Sequence, residues 1–238
     1  MRRWTEWLGV ELNVVSTKEK AVATAGGMLS ILLLCLVTEA CVGIVDGSAL
    51  VASMGASAVL LFAVPHGQLS QPWPVIAGHG LSALVGVGCA AWIGSPILAS
   101  AMAVGLAIGI MHWLKCIHPP GGATALTAVL GGAAIRDLGF AYVLCPVMAN
   151  AAVMIAVAVA FNAGFRWRRY PAAWVNRSRM GDPERSNHED LVEALRNLDL
   201  FVDLAEDDLL RLGRELSKAR RRRAGKVAKA RTRVKNAA

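Results

Sequence analysis

The sequence has almost no charge over most of its length. Its 238 residues include 25 Lys and Arg and 17 Asp and Glu, yet residues 21–165 contain only five of these. The five are Glu39, Asp46, Lys115, Arg136 and Asp137. Roughly a quarter of the residues in a soluble domain are charged, so this region excludes an ordinary water-soluble fold. Residues 21–165 are therefore predicted to lie in a membrane.

The sequence also lacks the motifs of common enzyme and metal sites. It has no Gly-x-Ser-x-Gly, no Walker loop, no His-Glu-x-x-His and no CxxC spacing. We therefore expect no enzyme activity, no cofactor and no metal. The rival hypothesis is a membrane enzyme using His112 and His118, but no nearby carboxylate orients either. The cysteines are predicted to be small buried residues, at Cys35, Cys41, Cys89, Cys116 and Cys145.

What is present is a series of hydrophobic runs. Four are near the roughly 20 residues that a membrane-spanning helix needs, namely 21–45, 75–93, 97–114 and 140–161. Two shorter runs, 50–64 and 122–135, contain glycine and small residues in their first halves and are predicted to be short or re-entrant helices. The predicted fold class is all-α integral membrane, with four long hydrophobic helices and two short ones.

The two short runs resemble each other. Residues 55–60 and 122–127 both begin with glycine and small residues, and each short run lies between two long ones. If the short helices cross the membrane, the second set of three is upside down relative to the first, which is the 3+3 inverted repeat found in transporters. The alternative is that small residues are simply frequent in membrane helices.

Basic residues predict the topology. Arg2, Arg3, Lys18 and Lys20 precede the first run, and three arginines between 166 and 169 follow the last. The positive-inside rule then places both termini in the cytoplasm, as a multi-pass protein of the inner membrane. Four crossings and six crossings both satisfy this, but six crossings also place Lys115 in the cytoplasm.

Residues 111–126 interrupt a long hydrophobic region. Pro119 and Pro120 cannot continue the incoming helix, while Gly121 and Gly122 free the backbone to begin a new helix at Ala123. Inside a bilayer such a break must be buried in protein or line a wet cavity, and transporters often bind their substrates at broken helices. Replacing both prolines by alanine is expected to join the helices and abolish transport.

The candidate substrate-binding residues surround this break. Unpaired backbone N–H groups at a helix start suit a small anion. The predicted donors are Gly121, Gly122, Ala123 and Thr124 in the second short helix, and Gly55, Ala56 and Ser57 in the first, with Ser53 beside them. The alternative is that these small residues only let helices pack closely.

Two side chains near the break are further candidates. His118 can hydrogen-bond a solute, relay a proton or satisfy backbone carbonyls freed by the break. Lys115 can supply positive potential, or its side chain can extend to the lipid headgroups. Three other polar residues, His79, Asn150 and Asn162, are predicted to make interhelical hydrogen bonds.

The two ends of the chain differ from the hydrophobic region. Residues 1–20 are predicted to form an amphipathic cytoplasmic segment, and residues 172–238 a charged cytoplasmic tail with helices at 188–199 and 203–220. The net charge of +8 lies mostly in this tail, where anionic lipid explains it at least as well as nucleic acid does. No nucleic-acid partner is expected.

The ordered segments 53–62, 71–74, 118–125 and 168–171 resemble the HPP family of integral membrane proteins, whose His-Pro-Pro tripeptide corresponds to residues 118–120. The resemblance covers roughly residues 20–171. It implies a multi-pass domain, usually described with four spans, in a family that has a branch linked to nitrite transport. Residues 188–223 resemble a linker to paired cystathionine-beta-synthase-type domains, but no complete regulatory domain follows here.

The residues and the resemblance together predict a transporter or channel for a small anion such as nitrite. Its partners are expected to be the lipid bilayer, the anion and a second copy of the chain in a homo-oligomer. The alternative is a structural or signalling membrane protein that binds a partner through its cytoplasmic tail.

Overall fold

The structure is a computed structural model that describes residues 16–42, 48–165, 167, 168 and 170–172. Regular structure in these residues is entirely helical. The helices are α1 (Thr17–Val42), α2 (Ser48–Ala63), α3 (Pro72–Trp92), α4 (Pro96–Trp113), α5 (Pro120–Leu130), α6 (Ala133–Leu138) and α7 (Ala149–Ala163). A 3₁₀ turn covers Gln68–Ser70, and a π-helical turn, Val143–Met148, leads into α7. The predicted tail helices lie outside the described residues.

The prediction of four long and two short hydrophobic helices is confirmed. Within the described residues, α1, α3, α4 and the segment Val143–Ala163 are long and apolar enough to cross a membrane, while α2 and α5 are shorter apolar helices. The short run predicted at 122–135 instead divides into α5 and α6. The chain turns at Gly132, whose φ of 91° favours glycine.

Proline marks the start of three helices. Pro72, Pro96 and Pro120 each occupy the first helical position, where the missing N–H costs no intrahelical hydrogen bond. Pro146 lies inside the π-helical turn, next to a non-helical backbone at Cys145. Because proline cannot donate the helical hydrogen bond, the last hydrophobic run begins irregularly and becomes a regular helix only at Ala149.

Contacts at two ends of the bundle fix the direction of each helix. At one end, here called the Arg168 end, Arg168 bonds Glu19 of α1 and the Phe62 carbonyl of α2, and the Trp73 indole donates to the Leu114 carbonyl at 3.2 Å. At the opposite end, here called the Cys41 end, Cys41 of α1 is disulfide-bonded to Cys145 before α7.

The six apolar helices therefore alternate in direction. α1 runs from the Arg168 end to the Cys41 end, α2 returns, and α3, α4, α5 and the segment through α7 continue the alternation. Lys115, which follows α4, lies at the same end as Lys18 and Lys20 at the start of α1. The six-crossing alternative requires this alternation, but only four of these segments are long enough to cross a membrane, so the number of crossings stays a prediction.

The packing has the pattern of an inverted repeat. The first half, α1–α3, and the second half, α4–α7, each place a short helix between two long ones. α1 packs against α2 and α7, and its counterpart α4 packs against α5 and α3. A 3+3 inverted repeat requires this correspondence, but the extensive packing of α3 against α5 has no equal in the counterpart pair α7 and α2, so the repeat stays a prediction.

Two of the five cysteines correct the sequence-based prediction. Cys41 and Cys145 form a disulfide between residues 104 positions apart, and Cys145 lies on the exposed surface. Cys89 and Cys116 are buried thiols, as predicted, and Cys35 is half-buried. Spacing could not predict this pairing, because the two cysteines are far apart in the sequence. They meet only where α1 and the segment before α7 pack together at the Cys41 end.

The outer surface is apolar. Large hydrophobic side chains project outward from α1, α2 and α4, including Met28, Leu32, Val59, Ile97 and Leu106. The interior of the second half is lined instead by small residues, with Ala99, Ala103 and Ala107 buried on one face of α4. Such small side chains let membrane helices approach closely, while the large outer ones suit contact with lipid.

Candidate functional site

The helix break begins before the two prolines. α4 ends at Trp113, and Lys115 adopts a left-handed conformation with φ 53°. The N–H of Cys116 bonds the Met111 carbonyl at 2.9 Å, and the N–H of Lys115 bonds the His112 carbonyl at 3.2 Å. This pair of bonds is a Schellman motif, which ends helices. The predicted break between two helices is present, but this motif ends α4 before Pro119 and Pro120 are reached, so replacing the prolines by alanine is not expected to join α4 to α5.

The second short helix begins at Pro120 rather than at Ala123. The N–H of Gly121 donates to the His118 carbonyl at 2.8 Å, and the N–H of Gly122 donates to the Pro119 carbonyl at 3.0 Å. The expectation that these two N–H groups are free to bind an anion is therefore corrected. Ala123 and Thr124 lie within the first turns of the helix, and their place in a binding site stays a prediction.

Gly121 has a packing role instead. A Cβ atom placed on it would lie 2.7 Å from the Ser82 Oγ atom and 2.8 Å from the Gly78 carbonyl oxygen, both on α3. A Cβ on Gly78 would lie 2.6 Å from the Cβ of His118. Since real Cβ atoms do not approach so closely, both glycines are needed for α3 to pack against the break and α5.

The first short helix is also placed differently from the prediction. Gly55, Ala56 and Ser57 lie in the interior of α2, not at its start, so helix geometry engages their N–H groups. Ala56 is exposed, and Gly55 lines an apolar groove of ≈ 830 Å³ between α1 and α2. Ser57, by contrast, is fully buried on the inner face of α2.

Ser57 joins two buried histidines. Its hydroxyl lies 2.8 Å from Nε2 of His79 on α3 and 2.8 Å from Nε2 of His118 in the break. The two imidazole rings meet edge to face, with their centroids 4.8 Å apart. The second nitrogen of His118, Nδ1, donates to the Leu69 carbonyl at 2.9 Å. Both ring nitrogens of His118 are therefore occupied.

The hydrogen bonds continue from His79 into α5 and back to α2. Nδ1 of His79 lies 2.7 Å from the Thr124 hydroxyl, which lies 2.8 Å from the Ser53 hydroxyl. Ser53 also donates to the Pro120 carbonyl at 3.0 Å, and Thr124 makes a longer contact of 3.4 Å with the same oxygen. We call Ser53, Ser57, His79, His118 and Thr124 the histidine network.

The histidine network is enclosed and contains no carboxylate, lysine or arginine side chain. Four of its members have no exposed surface and Ser53 has 2%. Nearby, the Tyr142 hydroxyl donates to the Thr124 carbonyl at 3.1 Å. Lys115 is exposed beyond the end of α4, so it does not enter the network. Buried polar groups of this kind are costly in a membrane interior and are usually functional there.

The structure brings four of the candidate residues together and places others elsewhere. His118, Thr124, Ser57 and Ser53 belong to the histidine network, Gly121 packs against α3, and Gly55 and Ala56 face away from the network. His79 was predicted to make an interhelical hydrogen bond, which is confirmed, but its partnership with His118 was missed. The similarity of the two short runs offered a signal for the site. Ser57 and Thr124 are hydroxyl residues 67 positions apart, which is the offset between the two runs.

The network consists of groups that exchange protons and hydrogen-bond small solutes. Imidazole nitrogens and hydroxyls each donate and accept hydrogen bonds. In the part of the chain that the structure describes, no three His, Cys, Asp or Glu side chains cluster as metal ligands. Imidazole nitrogens and hydroxyls of this kind can exchange protons and form hydrogen bonds with a solute.

Comparisons with known proteins agree with this architecture. The family described as HPP, transmembrane region, matches residues 12–171. Two transmembrane proteins of Dictyostelium discoideum are 40% and 43% identical over 129 residues, which is 52% of this chain in each case. The matched segments cover 45% and 41% of those proteins, so the similarity spans less than half of each. No solved structure shows a significant match.

Proposed function

The chain belongs to the HPP family of transmembrane proteins, and we propose that it transports a small anion, with nitrite as the first candidate, through the centre of its helix bundle. The histidine network is the proposed site. The observation that carries this proposal is that the network joins the two halves of the bundle. Ser53, Ser57 and His79 belong to the first half, and His118 and Thr124 belong to the second. In transporters built from inverted repeats, solutes bind at the interface of the repeats.

The close packing around the network favours a small solute. Gly78 and Gly121 leave no room for even one additional carbon between α3 and the break. A solute of a few atoms can replace individual hydrogen bonds between hydroxyls and imidazoles, whereas a larger one must separate the helices. The chemistry proposed is binding and release, without catalysis.

Charge favours an anion. Lys18, Lys20 and Lys115 lie at the Arg168 end, where they raise the local concentration of anions. The network itself is neutral while its histidines are unprotonated, so it does not repel an anion. Its imidazole N–H and hydroxyl groups are donors suited to anion oxygens.

Transport requires the network to open. Every contact of Ser57 and Ser53 bridges α2 to α3, to the break or to α5. Movement of α2 away from these elements exposes the histidines to one end of the bundle. Rocking of one repeat against the other is the usual form of such a movement in this class of transporter.

Uptake into liposomes tests the proposal. We expect purified protein to carry nitrite at a saturable rate above that of protein-free liposomes, with nitrate, formate and chloride as comparisons. The His118→Gln variant is expected to lose at least 90% of this flux, because it breaks the bridge through Ser57. His112→Gln is the matched control, since His112 is exposed at the end of α4 and is expected to leave the flux unchanged.

The alternatives give distinct results. Absence of saturable flux for all four anions refutes anion transport. An equal loss of nitrite flux in His112→Gln and His118→Gln refutes the placement of the site in the network. Both histidines lie near the break, but only His118 belongs to the histidine network.

The proposed location is the inner membrane, with the Arg168 end in the cytoplasm. Basic residues at this end support that orientation under the positive-inside rule. The Cys41–Cys145 disulfide supports it independently, because disulfides persist in oxidising compartments and this one lies at the opposite end. Both termini are then cytoplasmic.

Two measurements check this orientation. Green fluorescent protein fused after Ala238 is expected to fluoresce, as it does only in the cytoplasm, and alkaline phosphatase at the same position is expected to be inactive. Thiol counting on denatured, unreduced protein is expected to give three free thiols, rising to five after reduction. An active phosphatase shows that the orientation is the reverse of the one proposed. Five free thiols before reduction show that the disulfide is absent.

A further inference from the structure

The histidine network has one more short polar contact than it has side-chain hydrogens that can form hydrogen bonds. Its contacts of 3.0 Å or less form an unbroken chain between two carbonyl oxygens. In order they are Leu69 O–His118 Nδ1, His118 Nε2–Ser57 Oγ, Ser57 Oγ–His79 Nε2, His79 Nδ1–Thr124 Oγ1, Thr124 Oγ1–Ser53 Oγ and Ser53 Oγ–Pro120 O. Each neutral side chain supplies one hydrogen, which makes five for six contacts.

The carbonyls at the two ends determine where the missing hydrogen lies. A carbonyl oxygen only accepts, so His118 must donate from Nδ1 to Leu69 and Ser53 must donate to Pro120. Ser57, His79 and Thr124 then have three hydrogens for four inner contacts. While both histidines are neutral, one inner pair of acceptor atoms faces each other at 2.7–2.8 Å without a hydrogen between them.

We infer that the histidine network binds one extra proton, and that this proton travels with the anion in a ratio of one to one. The inference rests on the anion transport proposed above and specifies what is transported together with the anion. A hydronium ion gives up a proton to the lone pair of an imidazole nitrogen facing Ser57, which leaves a water molecule and converts one neutral histidine to imidazolium. All six contacts then contain one hydrogen each, and every heavy atom stays in place.

Ser57 passes the charge between the two halves of the bundle. When His79 is the imidazolium, its Nε2–H bond breaks as the proton moves to Ser57 Oγ, and the Ser57 O–H bond breaks as its own proton moves to Nε2 of His118. One N–H and one O–H bond are broken and one of each is formed. The positive charge thereby moves from α3 in the first half to the break in the second.

In the part of the chain that the structure describes, the elements around the network offer no countercharge, so the anion supplies it. The other ionisable side chains on the elements around the network are Cys89 on α3, Tyr142, which bonds the Thr124 carbonyl, and the buried thiol of Cys116, together with His112 and Lys115 at the exposed end of α4. None is a carboxylate. An imidazolium buried in a membrane is costly unless a negative charge accompanies it, and a bound anion makes the pair neutral.

Flux under controlled voltage tests the proton ratio. Uptake of nitrite into liposomes that contain the full-length protein is expected to be insensitive to an imposed membrane potential, because a proton and an anion together carry no charge. At zero potential, an inward proton gradient of one pH unit is expected to drive about tenfold accumulation. Fluxes of protein-free liposomes are subtracted, since nitrous acid crosses lipid unaided.

A matched pair of serine variants tests whether the dependence of the flux on the proton gradient arises in the histidine network. Ser57→Ala is expected to remove the dependence of the flux on the proton gradient, because the two histidines lose the hydroxyl that bridges them. Ser30→Ala is the control, since Ser30 on α1 is equally buried and its hydroxyl has no hydrogen-bond partner among the described residues. Flux that varies with the membrane potential and ignores the proton gradient in the unaltered protein overturns the inference.

Nitrogen NMR provides a readout that does not depend on transport. In protein labelled with ¹⁵N-histidine and held in bilayers, the ring nitrogens of His79 and His118 are expected to show one shared imidazolium on lowering the pH, at a higher pH when nitrite is present. Two imidazoliums, or none under any condition, contradict the inference. An imidazolium without any anion flux refutes the proposed function alone, and flux with both rings neutral refutes the proton inference alone.

Discussion

Gly121→Ala is expected to lower the free energy of unfolding by about 3 kcal/mol, near the upper end of the usual cost of overpacking a core. The added Cβ meets the Gly78 carbonyl at 2.8 Å and the Ser82 hydroxyl at 2.7 Å. Backbone cannot rotate away as a flexible side chain does, so α5 must move from α3. Thermal unfolding followed by the fluorescence of the seven tryptophans measures the change.

The neighbouring glycine provides the control. A Cβ on Gly122 has its nearest neighbour, Val104 Cγ1, at 4.0 Å, which is ordinary contact. Gly122→Ala is therefore expected to be neutral or to stabilise the protein by up to about 1 kcal/mol, because alanine favours helix over glycine. Similar destabilisation by both substitutions contradicts the close contact between α3 and α5. Retention of the unaltered stability by Gly121→Ala contradicts it as well.

The same contact shows how differently the two glycines at this helix start are placed. From the sequence, Gly121 and Gly122 are equivalent, since both follow a proline pair and open a hydrophobic run. In the structure they differ, because only Gly121 faces α3. The N–H groups of both glycines form hydrogen bonds, to the carbonyls of His118 and Pro119. Which glycine is critical depends on the register between α3 and α5, and nothing in the local sequence sets that register.

The long helices were predictable because hydrophobic length alone determines them. The four predicted long runs correspond to spans that begin and end within a few residues of the predicted bounds. The end of α4 was predicted to within one residue, but the motif that ends it was not predicted. A Schellman motif usually has glycine at its left-handed position, and here Lys115 occupies it, so the prolines four and five residues later were the stronger signal.

The site was only half predictable from the sequence. His118 stands out beside the prolines, whereas His79 is one polar residue in an apolar helix and carries no local motif. Its role arises because Ser57 lies between the two rings, which requires α2, α3 and the break to meet. Sequence periodicity places Ser57 on a face of α2, but long-range packing decides what that face contacts.

Arg168 is expected to be the most important charged residue for stability. Its side chain is 1% exposed, and it bonds the Glu19 carboxylate, the Phe62 carbonyl and, at 2.9 Å, the Asn162 side-chain oxygen. It therefore holds the start of α1, the end of α2 and the end of α7 together. Burial lowers the pKa of Arg168 and Glu19 opposes that effect, but arginine stays charged in proteins, so the ion pair persists.

Arg168→Ala is expected to cost about 3–5 kcal/mol, the range found when one partner of a buried ion pair is removed. It leaves three acceptors from three helices without their donor. Arg136→Ala, at an exposed arginine on α6, is the control and is expected to change stability by less than about 0.5 kcal/mol. Unfolding in mixed micelles with increasing denaturing detergent measures both variants.

Glu19→Gln separates the charge of this cluster from its packing. The Glu19 side chain is 22% exposed, so water partly compensates its loss, and the variant keeps an oxygen that accepts from Arg168. We expect it to cost less than Arg168→Ala, because two carbonyl-type acceptors on α2 and α7 still bind the guanidinium. An equal cost for the two variants indicates that the ion pair alone stabilises this end. A smaller cost for Glu19→Gln shows that the arginine acts chiefly as the common donor to three helix ends.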